Sequence, residues 1–172
     1  MQKPLSESKN ISYTIGSTTI PDTYLWLEDG KNDEVKKWVR EQNEYTESIL
    51  RNNTQHVFSQ ELEKNFAFTS FSSPVPVCGK YFYTERKQNE DQMGLYVKEG
   101  LNTNPITIVN PNINPEKTTT IDFWAPGWTG RYIAYGLSEK GDEMATLYIF
   151  DIQTKQNLEE TIPRCRYSQI KW

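Results

Sequence analysis

Polar and apolar positions alternate at helical spacing in the first third of the chain and at strand spacing in the rest. Val35, Trp38, Val39, Gln42, Tyr45, Thr46 and Ile49 fall on one face of a 3.6-residue period. The spacing predicts a helix that opens at Asn32 or Asp33, both good N-caps, with Glu34 in the first turn where the helix dipole favours an acid. It should end near Arg51, at the Asn52-Asn53 pair. A second, shorter helix is predicted from about Ser59 to Phe66, with Leu62 and Phe66 on one side. Ahead of both, residues 11–20 are rich in Ser, Thr and Ile and read as extended, and Pro21 ends that stretch. Residues 1–12 are polar and read as a mobile tail.

From Ala67 the period changes. Short β-type runs follow one another: Tyr81-Phe82-Tyr83, Leu95-Tyr96-Val97 and Ile106-Thr107-Ile108-Val109. Gln88–Asp91 is a polar turn between the first two, and Asn110-Pro111-Asn112 closes the third. The layout then returns. Gly79-Lys80-Tyr81-Phe82 matches Gly130-Arg131-Tyr132-Ile133 at an offset of 51, and Leu95-Tyr96-Val97 matches Leu147-Tyr148-Ile149 at 52. Ile106 matches Leu158 and Pro111 matches Pro163, also at 52. A repeat of this length with several short strands in each unit is the mark of a propeller blade, a two-sheet sandwich being the alternative. Each blade needs an inner strand before its Gly. These are placed at about Phe66 to Phe71, and at Thr119 to Phe123 with Ile121 and Phe123 alternating with Asp122. Pro126-Gly127-Trp128-Thr129-Gly130 is then a turn, and Tyr167–Trp172 reads as the first strand of a third blade cut short. The expected fold class is α+β dominated by β: a helical N-terminal segment followed by about two four-stranded propeller blades.

Composition agrees with a sheet protein. The 172 residues include 5 Trp, 10 Tyr and 7 Phe. The net charge of -4 and the lack of a basic run leave nucleic acid without an electrostatic footprint. No apolar run approaches the length of a membrane span, and Met1–Asn10 holds no apolar core of a secretory signal, so no membrane partner and a cytoplasmic location are expected. Cys78 and Cys165 are far apart in sequence and read as two reduced, partly buried thiols.

Catalytic chemistry is hard to place in this chain. Its one histidine, His56, lies between the two predicted helices among polar residues, a poor setting for a general base. There is no G-x-S-x-G elbow, no phosphate loop and no dinucleotide fingerprint. One His and two distant Cys supply no metal site, so neither metal nor cofactor is expected. Glu139, Asp142 and Glu143 share one inter-strand loop, as a solvated turn or as a charged rim that orients a cationic ligand end.

Several segments together resemble one family. Asp22-Thr23-Tyr24-Leu25-Trp26-Leu27-Glu28-Asp29 resembles the D-P-Y-x-W-L-E-D motif near the N-terminus of prolyl oligopeptidases, with Thr23 where the family usually has Pro. Val35-Lys36-Lys37-Trp38-Val39-Arg40-Glu41-Gln42-Asn43 is similar to that family's V-x-x-W-V-x-x-Q-N helix. Ala134-Tyr135-Gly136-Leu137-Ser138 with Gly141 is similar to its A-Y-G-L-S-x-x-G stretch in the second blade, whereas Trp124-Ala125-Pro126-Gly127-Trp128 is richer in Trp than its usual turn. The resemblance implies an α/β-hydrolase peptidase domain capped by a seven-bladed propeller. It also implies hydrolysis of short peptides after proline by a Ser, His and Asp that lie beyond Trp172, so that no catalytic residue falls in this chain. Residues 13–66 would pack on that absent domain through Trp26, Trp38 and Val39, and residues 67–172 would form the first two blades and the start of a third. Tyr167 matches an aromatic, usually Phe, lining the pocket on the propeller side. Glu143 matches an acidic position, usually Asp, near the substrate's N-terminal end. The implied partners are short proline-containing peptides and the α/β-hydrolase domain, in cis or in trans. The alternative is a non-catalytic partial-propeller binding module from a split or decayed gene.

Overall fold

The computed structural model describes residues 3–51, 53–116 and 118–172, with the side chains of 53–56 left out. The chain divides into two compact units, Met1–Lys64 and Asn65–Trp172.

The first unit opens with a hairpin. Strand β1 (Ser12–Ile15) pairs antiparallel with β2 (Thr18–Pro21) across a Gly16-Ser17 turn. Pro21 closes the strand rather than breaking the stretch before it, a place where its missing N–H costs no ladder bond. A 3-10 turn, Leu25–Glu28, precedes helix α1 (Asp33–Leu50). Asn32 is the N-cap: its Oδ1 accepts the Glu34 N–H at 2.9 Å. The tail expected to be mobile is instead tied down. Gln42 Nε2 donates to the Pro4 carbonyl at 3.3 Å, Trp38 Nε1 to Ser6 Oγ at 3.1 Å, and Trp26 Nε1 to the Glu7 carbonyl at 2.9 Å. Lys9 pairs with Glu34 and sits 4.5 Å above the Trp26 ring. Indole N–H groups on a half-buried helix face need acceptors, and the polar strip supplies them.

Helix α2 (Asn53–Phe66) begins six residues before the predicted Ser59. His56 therefore lies in a helix and not in a linker, and its side chain falls outside the described residues.

The second unit holds two antiparallel sheets. The first contains β3 (Ser70–Phe71), β4 (Val75–Val77), β5 (Lys80–Arg86), β6 (Gly94–Lys98) and β7 (Ile106–Val109). Its inner strand is not the single run 66–71 that the sequence suggests. It is broken into β3 and β4, both paired to β5, with Pro74 in the gap. Ser72 bridges the break, its N–H donating to the Thr84 carbonyl at 3.0 Å and its Oγ accepting the Thr84 N–H at 2.9 Å. The second sheet is a plain meander of β8 (Thr119–Pro126), β9 (Tyr132–Glu139), β10 (Thr146–Asp151) and β11 (Gln156–Ile162). Strand β8 runs three residues past the predicted Phe123.

The two meanders share one core. Phe82, Leu95, Val97 and Ile108 of the first sheet meet Ile133, Tyr135, Phe150 and Ile152, which belong to or adjoin the second. The sequence repeat recurs in space. Tyr83 stacks on Tyr96 at 5.8 Å, and Tyr135 on Tyr148 at 5.6 Å, each a cross-strand pair on the same two strands of its sheet. Lys80 with Glu99 at 3.6 Å and Arg131 with Asp151 at 2.9 Å likewise join the second and third strands at equivalent ends. Up-and-down sheets of this kind, repeated in order and packed face to face, are propeller blades.

The expected third-blade strand does not form. Residues 163–172 follow a turn-rich path with Arg164 and Tyr167 at positive φ. Strand geometry needs a ladder partner, and this segment spends its polar groups on side-chain bonds. Trp172 Nε1 donates to the Ala125 carbonyl at 3.1 Å, and Trp128 Nε1 to the Trp172 carbonyl at 2.7 Å. Among the described residues no helix is long and apolar enough to cross a membrane.

Candidate functional site

The ladder between β8 and β9 slips by one residue. Ile121 faces Leu137, but Phe123 faces Gly136, so Asp122 is left as an unpaired bulge. In a regular strand Asp122 and Phe123 would point to opposite faces. The bulge turns both toward the same side. Gly136 makes room for the ring: a Cβ there would stand 2.6 Å from Phe123 Cε1 and nearer still to Cζ. Ser138, itself buried, holds the bulge by donating from Oγ to Asp122 Oδ1 at 2.7 Å.

The loop after β9 brings the second carboxylate. The three acids that the sequence groups in one loop do not act as a group, and Glu139 is the last residue of β9, paired with Thr119. Glu139 turns back to accept from Thr118 Oγ1 at 2.9 Å and Thr119 Oγ1 at 2.6 Å. Asp142 Oδ1 accepts the Met144 N–H at 2.9 Å. Glu143, at φ 58, reaches across to the C-terminal segment. Its Oε2 accepts from Arg166 Nη2 at 2.8 Å and from Tyr167 Oη at 3.0 Å. The Cys165 N–H donates to the Ala145 carbonyl at 2.8 Å and fixes that segment beside the start of β10. The two residues singled out by resemblance, Glu143 and Tyr167, are therefore in direct contact.

They share a cavity of about 300 Å³ with Asp122, Phe123 and Ser168. Sequence reading missed these last three. The available signal was Gly136 inside a strand, which marks a close approach.

Electrostatics define what the cavity can do. The Arg166 guanidinium, helped by the Tyr167 hydroxyl, holds the Glu143 carboxyl below its ordinary value of 4.5. Arg166 is shifted up in turn, first by its bond to Glu143. An ionised carboxylate that already accepts two hydrogen bonds is a poor proton donor and a good positioning group. The guanidinium also lies 5.1 Å from the centre of the Tyr167 ring. Cys78 is exposed and Cys165 half-buried, both free thiols, and Cys78 Sγ donates to the Trp128 carbonyl at 3.3 Å. Among the described residues no three His, Cys, Asp or Glu side chains cluster as metal ligands would.

A helical segment leading into two successive propeller blades defines the class: the chain is a β-propeller portion with an N-terminal helical extension. It belongs to the prolyl oligopeptidase family, for residues 4–172 match that family's N-terminal β-propeller domain. It is 30% identical to a prolyl endopeptidase of Elizabethkingia meningoseptica over 96% of this chain and 24% of that protein. A prolyl endopeptidase of Dictyostelium discoideum is 26% identical over 91% of this chain and 26% of its own length. Among solved structures, one from a study of two prolyl endopeptidases superposes with a TM-score of 0.78 at 23% identity, covering 99% of this chain and 26% of that one. Prolyl oligopeptidase B of Galerina marginata, bound to a 35mer substrate, gives 0.70 at 20% identity, covering 99% and 28%. At these identities the structures speak for the fold. The chain thus spans about a quarter of the length of its relatives and matches their propeller domain, not their catalytic domain.

Proposed function

We propose that this chain is the N-terminal part of a prolyl-oligopeptidase-type serine endopeptidase that hydrolyses short peptides after proline. The observation that carries the proposal is the family match across residues 4–172. The chain supplies blades and packing surface, and the nucleophile, base and orienting acid belong to an α/β-hydrolase domain joined in cis or met in trans. Residues 13–66 pack on that domain; Val39, at 43% exposure, is free for the contact, whereas the Trp26 and Trp38 N–H groups are engaged by the tail. Tyr167 and Glu143 touch the peptide. Their convergence on one cavity supports this, as does the 81% exposure of Tyr167, which leaves its ring open to a ligand.

The test has two parts. The purified chain is incubated with a fluorogenic proline peptide and titrated with an active-site serine reagent; no turnover and no labelling are expected. Proline-containing peptides and their Ala-for-Pro counterparts are then titrated by calorimetry. The proline form should bind more tightly, and Tyr167→Ala should weaken it by about tenfold, as for a buried aromatic contact. Turnover by the chain alone, or equal binding of the two peptides, would refute the reading.

A further inference from the structure

The strip ahead of the first hairpin is held by polar contacts. Three side-chain donors from the 3-10 turn and α1 meet it in order: Gln42 Nε2 at the Pro4 carbonyl, Trp38 Nε1 at Ser6 Oγ and Trp26 Nε1 at the Glu7 carbonyl. Leu5, its large apolar side chain, is 86% exposed and adds little burial. Lys9 stands where the strip leaves the hairpin. Its N–H still donates to the Thr23 carbonyl at 3.0 Å, next to the end of the β1–β2 ladder. Its ammonium pairs with Glu34 and lies 4.5 Å from the centre of the Trp26 ring. We propose that residues 4–8 are a releasable strap over the face of Trp26, Trp38 and Gln42, fastened by the Lys9 side chain. The inference stands apart from the peptidase reading.

The balance of forces makes the strap releasable. A segment anchored by buried apolar side chains opens only with its core, and this one has little such burial. Fixing its backbone costs conformational entropy at every residue. Single hydrogen bonds offset that cost, each modest in net terms because water competes for the same groups. Trp26 and Trp38 are only half-buried, so water takes the place of each acceptor on opening and no donor is orphaned. The fastener is of another kind. It joins an ion pair to a cation over an indole face, and both interactions are electrostatic. The side chains of Lys9 and Glu34 keep 25% and 47% of their surface in solvent, which opens the pair to screening by salt. Lys9 also fixes the direction in which the strip leaves the ladder, so its loss acts on all three bonds ahead of it. Opening bares two indole donors and an amide on one face, and the strap thereby decides whether these groups are free to meet another surface.

Solvent exchange of the indole Nε1 protons, followed by NMR on the intact chain at low protein concentration, reads strap opening directly. Trp26 and Trp38 should be protected in dilute salt. In about 1 M sodium chloride they should lose protection together, by about three- to tenfold. Lys9→Met keeps the aliphatic stem and removes the charge. It should lower the protection of both indoles by a similar factor and make it indifferent to salt, whereas Lys9→Arg should keep both the protection and the salt response. The Lys9 ammonium lies over Trp26, while the Trp38 indole bonds to Ser6, so a joint loss is the mark of a strap and not of a local contact. Ser6→Ala, which removes the acceptor of Trp38, should in turn lower the protection of Trp26. Circular dichroism should be unchanged in each variant. Loss confined to Trp26 in Lys9→Met, or protection indifferent to salt in the unaltered chain, overturns the inference. Helix lost along with the strap overturns it too, because the strip would then be an integral part of the fold.

Discussion

A Cβ on residue 136 would stand 2.6 Å from Phe123 Cε1 and 2.7 Å from Cε2, closer than carbon atoms approach without displacement. The ring is only half-buried, so it can swing outward, and the damage should be local. Gly136→Ala is expected to cost about 1–2 kcal/mol in denaturant unfolding, the scale of overpacking at a tight site. In a Phe123→Ala background the same substitution should cost close to nothing, because the clash partner is gone. Measured coupling near zero in that double-mutant cycle would show that the glycine serves another purpose. This contact also explains why the site was only half legible in the sequence. Tyr167 and Glu143 were reachable through family motifs. Asp122 and Phe123 were visible but misassigned, since strict alternation placed them on opposite faces and one slipped residue undid it. Whether a strand bulges depends on its neighbours, and that information is not local.

At the scale of elements, legibility follows how local the determinants are. Helix α1 was readable at both ends because cap and period are written in its own residues: Asn32 caps it and Arg51 follows it. The start of α2 was not, because the Asn52-Asn53 pair signals a stop without saying how soon a new helix begins. The tail was misread because its anchors, Trp26, Trp38 and Gln42, lie 19 to 38 residues away in sequence. The last segment is not a strand because no described strand pairs with it, and a ladder partner is not written in its own residues. That segment is held by a clamp, Glu143 to Arg166 and Tyr167, which ties it to the β9–β10 loop. The clamp has a pH signature. Glu143 is held below its ordinary value of 4.5 chiefly by Arg166, so the ionised form is favoured when the clamp is made. Such a group stabilises the clamp above its unclamped pKa and loses that contribution as pH falls through the lowered one. Acidification well below 4.5 should therefore loosen the stretch around Arg166 and Tyr167, read as lower amide protection factors at Cys165–Ser168 once the slower intrinsic exchange in acid is divided out, while β9 and β10 stay protected. Glu143→Gln should show the lowered protection factors already at neutral pH. An Arg166–Tyr167 segment equally protected in both proteins would mean that the backbone bond from Cys165 to Ala145 suffices without the clamp.

The molecule as a whole leaves much apolar surface open. In the second unit, Phe71 and Leu101 are 62% and 71% exposed around a hollow of about 230 Å³ that Pro74, Tyr81 and Tyr83 also line. Strand β11 is exposed along its full length and presents an unpaired edge. In α2, Val57, Phe58 and Leu62 are all more than half exposed. Edges of this kind template pairing with other chains, and apolar patches of this kind drive association. A propeller blade normally meets a neighbour on each face, and each sheet here has one partner sheet in the shared core. The isolated chain is therefore expected to self-associate reversibly as concentration rises, seen as a growing weight-average mass in sedimentation across a dilution series. Phe71→Lys combined with Leu101→Lys adds charge where the side chains already face solvent. It should shift the equilibrium toward monomer without changing the circular dichroism spectrum. A chain that sediments as a monomer throughout, or association that the double variant leaves untouched, would show that the first blade's open face is not the surface that drives it. Association that vanishes instead on charging β11 would place the contact at the sheet edge, where backbone pairing and not apolar burial supplies the attraction.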